Sequence, residues 1–149
     1  MTATLDTNIL VYVVDGRDPP KQRVAAQIFA ALAARSAPLA LQVVGEFQNV
    51  MAKRLKLPQA MAAAAGHQLL ATFRTFAYDA IAVERATSAF ATSRFGYWDG
   101  LLLASAERAG LTALLSEDMH DGERFGRLEV VNPFAGAEVS RRARQALGI

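Results

Sequence analysis

The chain reads as an α/β sandwich built around a short, mainly parallel sheet, and three observations point there. Short apolar segments, rich in β-branched residues or Leu, alternate with longer segments whose apolar residues recur at helical spacing. Gly, Pro, Asp and Asn punctuate the changes of period. No repeat, low-complexity tract or linker divides the 149 residues, a length that suits one domain with a proper core.

Taken in order, residues 2–5 (TATL) predict a strand. Asp6-Thr7-Asn8 follows, then Ile9, Leu10, Val13 and Val14 at helical spacing, which puts Asp6 at a strand's carboxyl end where a helix begins. Asp15-Gly16 ends that helix. Asp18 before Pro19-Pro20 is a helix-start signal, and Val24, Ile28 and Leu32 give the next helix, to about residue 35, its buried stripe. Residues 38–41 predict a second strand. Residues 42–55 predict a helix with Val43, Phe47, Val50, Met51 and Leu55 inward and Glu46 beside that face, in line with Asn49 and Lys53. Pro58 opens another helix, in which Met61, Ala65, Leu69, Thr72 and Phe76 recur at helical spacing, and 76–78 is a brief strand. A helix over 80–95 is expected to end on Gly96 as its carboxyl-terminal cap. A helix over 98–109 with Gly110 as cap, a strand over 111–116 and a last strand over 128–131, broken by Asn132-Pro133, complete the pattern. The tail over 137–147 predicts a helix bearing Arg141, Arg142 and Arg144.

Composition excludes several classes. The hydrophobic fraction of 52% and charged fraction of 20% are those of a globular protein. With no Cys there are no disulfides and no thiolate metal sites, and His67 and His120 are too few for a His-rich one. The amino-terminal sequence lacks a secretion signal, and no run approaches the roughly 18 apolar residues of a membrane span. The expectation is a cytoplasmic protein with no membrane association. Net charge is +2 and the sequence pI about 9.3, mostly through Arg, which suits phosphate recognition but is also what an ordinary solvated surface carries.

The chemistry concentrates in residues 97–122, where Asp99 sits in the first turn of an apolar helix and Asp118 just past a buried strand. Two carboxylates about 5 Å apart repel by roughly 3 kcal/mol at an effective dielectric of about 20, unless a cation lies between them or one is protonated. Asp6 and Asp118 both fall beyond the carboxyl ends of strands, where ligands bind in parallel sheets. Each acid also has an ordinary explanation. Asp6 and Asp99 suit helix caps, Glu46 a solvated face, and Asp118 and Asp121 turn positions. Trp98 with Leu101, Leu102 and Ser105 reads as a core stripe rather than a base-stacking platform. His120 reads as a loop residue and His67 as a partly exposed helical one. Lys53, Arg54 and Lys56 read as a solvated charge run that, in a nuclease, could also meet phosphates. The Ala-rich segments 25–34 and 60–65 allow close helix approach, as core or as a groove for a partner's amphipathic segment.

Four stretches resemble the PIN-domain nucleases, in particular the VapC-type toxins of toxin–antitoxin pairs. They are Leu5-Asp6-Thr7-Asn8-Ile9-Leu10, Val43-Val44-Gly45-Glu46-Phe47, Tyr97-Trp98-Asp99 and Leu115-Ser116-Glu117-Asp118; Val130-Val131-Asn132-Pro133-Phe134 is similar to the end of the family's last strand. Each motif is weak alone, but the order of the four acids makes them specific together. The resemblance implies a PIN-like three-layer sandwich over residues 1–134, with 135–149 as an Arg-bearing tail outside it. It further implies a metal-dependent endoribonuclease toxin, an RNA substrate, a small cognate VapB-like antitoxin and a homodimer.

Carried over by position, the family's catalytic acids fall on Asp6, Glu46, Asp99 and Asp118, with Asp121, Thr7, Asn8 and Ser116 as auxiliary residues. One departure is the absence of the Ser or Thr that many relatives have before the Glu-bearing helix, where this chain has Ala40-Leu41-Gln42. An acid cluster without His or Cys suits Mg²⁺ or Mn²⁺. Asp6 and Asp99 are the expected direct ligands, Asp118 ligates directly or through water, and Glu46 serves a second ion or the attacking water. The alternatives are a catalytically inactive PIN-like RNA-binding or scaffold module and, less well matched, a receiver-type phosphate-handling domain. The latter would want a Lys at the end of a late strand, whereas Lys21, Lys53 and Lys56 all lie in the first half.

Overall fold

A computed structural model describes residues 2–149. Its central sheet has the order β1-β4-β6-β5, formed by β1 (Ala3–Leu5), β4 (Ala113–Leu115), β6 (Leu128–Val131) and β5 (Arg124–Phe125). β1 and β6 both run parallel to β4, in the registers Ala3↔Ala113 and Leu115↔Val131, and only β5 is antiparallel. Beside β1 lies a second parallel pair, β2 (Pro38–Ala40) with β3 (Arg74–Phe76). Leu5, Leu114, Leu115, Leu128 and Val130 have no exposed surface, so helices cover both faces of the sheet. That explains why these strands are continuous apolar runs rather than alternating ones.

β1, β2 and β3 are each followed by a helix, and several helix starts are written locally. Asp6 caps α1 (Thr7–Val14), and Asp18 caps α2 (Pro19–Ala33), its Oδ1 accepting from Lys21 N at 3.1 Å. α3 (Leu41–Lys53) follows β2 without a side-chain cap, and α4 (Gln59–Thr72) follows Pro58. Asp79 caps α5 (Ala80–Ala91), which packs along α6 (Tyr97–Arg108).

Three expectations need correction. Gly96 does not close the preceding helix. That helix stops at Ala91, the chain turns through Ser93 with φ of 55°, and Gly96, at φ of −59°, is the amino-terminal cap of α6. The strand expected at 76–78 lies two residues earlier, because its exposed Arg74 and Thr75 pair by backbone with β2 and carry no apolar signal. The tail is not helical from 137. A hairpin of β7 (Phe134–Ala135) and β8 (Glu138–Val139), turning at Gly136 with φ of +61°, comes first, and α7 (Arg141–Leu147) follows, capped by Ser140. The tail packs on the domain: Ala143, Ala146 and Leu147 are buried, and Arg142 pairs with Asp121 and Glu129.

Candidate active site

Asp6, Glu46, Asp99 and Asp118 arrive from four separate elements at the carboxyl ends of the parallel strands. The backbone N–H of Asp6 donates to Leu115 O at 2.9 Å and that of Ser116 to Val131 O at 3.1 Å, which extends the ladder to the edge of the site. Asp6 is then fixed on every side. Its Oδ1 accepts from Thr7 N at 2.7 Å, and its Oδ2 accepts from Ser116 Oγ at 2.8 Å and Asn8 Nδ2 at 3.1 Å. The same Asn8 amide donates to Asp118 Oδ2 at 3.0 Å, so one side chain bridges two of the carboxylates. Glu46, in the second turn of α3, is held by Thr7 Oγ1 on Oε2 at 2.8 Å and by Gln42 Nε2 on Oε1 at 2.9 Å. Asp99 stands in the first turn of α6, where the positive end of the helix dipole favours an acid.

Electrostatics set these four apart from most of the other acids. Most other acids have a cationic partner, as Asp15, Asp79, Glu107, Glu117, Asp121 and Glu129 do. Among the described residues, none of Asp6, Glu46, Asp99 and Asp118 forms an ion pair. Burial pushes the Asp6 carboxyl up to about 6, against the pull of Ser116 and the Thr7 N–H, and the charges of Asp99 and Glu46 add to the rise. Asp99 is also raised, by desolvation first and then by Asp118 and Glu46. Asp6 and Asp99 thus feel the neighbouring acids, and among the described residues no cationic side chain pairs with any of the four.

The donor set fits a hard divalent cation: four carboxylates, no thiolate, and a buried Asn8 Oδ1 that has no hydrogen-bond partner. Among the described residues, no three Asp, Glu or His side chains already stand placed to hold an ion. Glu46 is turned toward Thr7 and Gln42, while Asp99 and Asp118 are exposed.

The auxiliary residues separate into two groups. Thr7, Asn8 and Ser116 meet the quartet directly, whereas Asp121 accepts from Asn132 N at 2.8 Å and pairs with Arg142 at 2.7 Å. Lys53 and Arg54 end α3 about 10 Å along its axis from Glu46, so with Lys56 they are not gathered at the acids. His67 and His120 are exposed and outside the site.

Trp98 is not core. It is 60% exposed, whereas Leu101, Leu102 and Ser105 further along α6 are buried. Sequence reasoning also missed Gln42, whose spacing of four from Glu46 on one helix face was the available signal. It missed the anchor beside Asp118 as well. Glu117 pairs with Lys21 and accepts from Tyr12 OH at 2.6 Å, while the Lys21 ammonium lies 4.9 Å from the Tyr12 ring centre.

Fold and site together define an α/β sandwich protein with an unneutralised acid cluster past the carboxyl ends of parallel strands. The chain belongs to the PIN domain family, whose sequence profile matches residues 3–128. Among solved structures it is similar to the VapC20 toxin of Mycobacterium tuberculosis, described as cleaving the sarcin–ricin loop. The TM-score is 0.59 and the identity 16%, covering 76% of this chain and 87% of that one, so the likeness is one of fold. No curated protein sequence matches the chain.

Proposed function

We propose that the protein is a metal-dependent endoribonuclease of the VapC type, the toxin of a toxin–antitoxin pair. One observation carries the reading: four carboxylates, unpaired among the described residues, gather at one end of the sheet in a PIN domain. Asp6, Asp99 and Asp118 would hold the ion, with Asn8 and Ser116 orienting the first and last of these. A bound Mg²⁺ or Mn²⁺ supplies the positive charge that activates water and stabilises the phosphodiester's developing negative charge. Glu46, clamped by Thr7 and Gln42, is oriented to accept a proton from the attacking water. Hydrolysis needs no protein nucleophile. The amino terminus of α6 lies beside these acids and suits a substrate phosphate.

On this reading the substrate is RNA, the partner a small VapB-like antitoxin, the working form a homodimer and the compartment the cytoplasm. Among the described residues no helix is long and apolar enough to cross a membrane. The second reading, a non-cleaving RNA-binding or scaffold module, draws on the spread of the acids as they stand. Incubation with a defined RNA pool and Mg²⁺, with and without chelator, separates the two, with mapping of the cut ends. Cleavage that chelator stops and Asp6→Asn abolishes is the expected result. Uncut RNA together with unchanged thermal stability in millimolar Mn²⁺ would favour the module.

A further inference from the structure

We infer that Trp98 and Tyr78 form a stacking subsite for an unpaired nucleobase next to the scissile phosphate. An open cleft of about 550 Å³ is lined by Gln42, Glu46, Tyr78 and Trp98. Trp98 is 60% and Tyr78 50% exposed, although each carries a large apolar ring. Isolated exposed apolar residues are ordinary, but these two rings share a single cleft, and its polar wall is a member of the acid quartet. Gln42 ties the two regions together: its Nε2 donates both to Glu46 Oε1 at 2.9 Å and to Trp98 O at 3.0 Å. Tyr97 meets Trp98 edge-on at 5.1 Å between ring centres, and Phe90 meets Tyr97 in the same way at 6.1 Å. The indole is therefore braced from one side and still largely open to solvent.

The occupant follows from that continuity, and the inference rests on the ribonuclease reading. A phosphate held at the acids leaves the adjoining nucleotide within reach of the cleft that shares Glu46 with them. Aromatic side chains beside a strand-binding groove take unstacked bases, each such stack contributing roughly 5- to 150-fold in affinity. A base in a helical stem stays stacked between its neighbours, so the subsite takes single-stranded segments.

Trp98 is the protein's only tryptophan, so its fluorescence reports the cleft directly. The probes are single-stranded RNA hexanucleotides, titrated in chelator into an Asp6→Asn background, where cleavage cannot confuse the signal. Saturable quenching is expected, and Tyr78→Ala, which keeps the reporter, should weaken it about 10-fold. In cleavage assays Trp98→Ala should raise KM more than it lowers kcat, and Trp98→Phe should restore most of the loss. No quenching by any hexanucleotide, or equal quenching by duplex RNA, would overturn the inference. So would a blue shift on raising protein concentration alone, since a second copy of the chain would then cover the ring. Wild-type cleavage with an unchanged KM in Trp98→Ala would remove the subsite and leave the nuclease reading standing. Quenching without cleavage would do the reverse.

Discussion

Replacing Asp6 with Asn is expected to stabilise the apo fold at neutral pH while abolishing the proposed cleavage. The Asp6 carboxyl is raised from its ordinary 3.8 to about 6, chiefly by burial. A raised carboxyl pKa means that the folded state resists ionisation. The penalty is absent below about pH 4, grows as pH rises, and is complete above about 6. Its full size is about 3 kcal/mol. Asparagine removes the charge but offers one acceptor oxygen to the donors now shared by Thr7 N, Ser116 Oγ and Asn8 Nδ2. Reorganising those bonds costs about 1–2 kcal/mol. The net gain at pH 7 is then about 1–2 kcal/mol, or roughly 2–8 °C in melting temperature for a chain of this size. At pH 4 the gain disappears, because the wild-type acid is then protonated and carries no charge penalty. Thermal melts in chelator at both pH values read this directly. A variant less stable than wild type by the same margin at pH 4 and pH 7 would refute the reasoning, since charge would then play no part. Adding Mn²⁺ at about 100 times its dissociation constant should raise wild-type stability by about 2.7 kcal/mol and leave Asp6→Asn nearly unmoved.

Two further outcomes follow from the same geometry. Asn8→Ala removes the amide that bridges Asp6 and Asp118, and should weaken Mn²⁺ binding or cleavage by about 10- to 100-fold with little change in fold, measured by calorimetry and circular dichroism. Protons and metal compete for Asp6, so Mn²⁺ affinity should hold steady above pH 6 and fall as pH drops below it, towards tenfold per unit; a flat calorimetric profile between pH 5 and 7 would argue against Asp6 as a ligand.

Much of this was legible from local signals. Asp6 and Asp18 announced their helices because a capping acid acts within three residues, and β4 and β6 announced themselves as apolar runs because the sheet is covered on both faces. What the sequence withheld was mostly non-local. The β7–β8 hairpin rests on four residues whose pairing is by backbone, so Glu138 and Ala135 carry no pattern. Trp98 has the spacing of a core residue, and only the packed structure shows that it faces solvent. Asp121 and Asp118 look alike as loop acids, and the difference between them is a distant arginine, Arg142. Gln42, in the place where a cap was missed, turns out to serve Glu46 and the Trp98 carbonyl instead.

The pairing of β1 with β4 sets Ala3 against Ala113, and the Asp6–Ser116 bond closes across the same separation of 110 residues. During synthesis, then, the first acid waits for a strand made much later. A nascent chain that already holds Asp6, Glu46 and Asp99 still lacks the neighbour that seats Asp6 and the loop that brings Asp118. Long loops must close before such contacts form, which makes the site one of the later parts of the molecule to become whole. If the proposed nuclease activity holds, that order keeps the acid cluster incomplete on the ribosome until most of the chain has emerged.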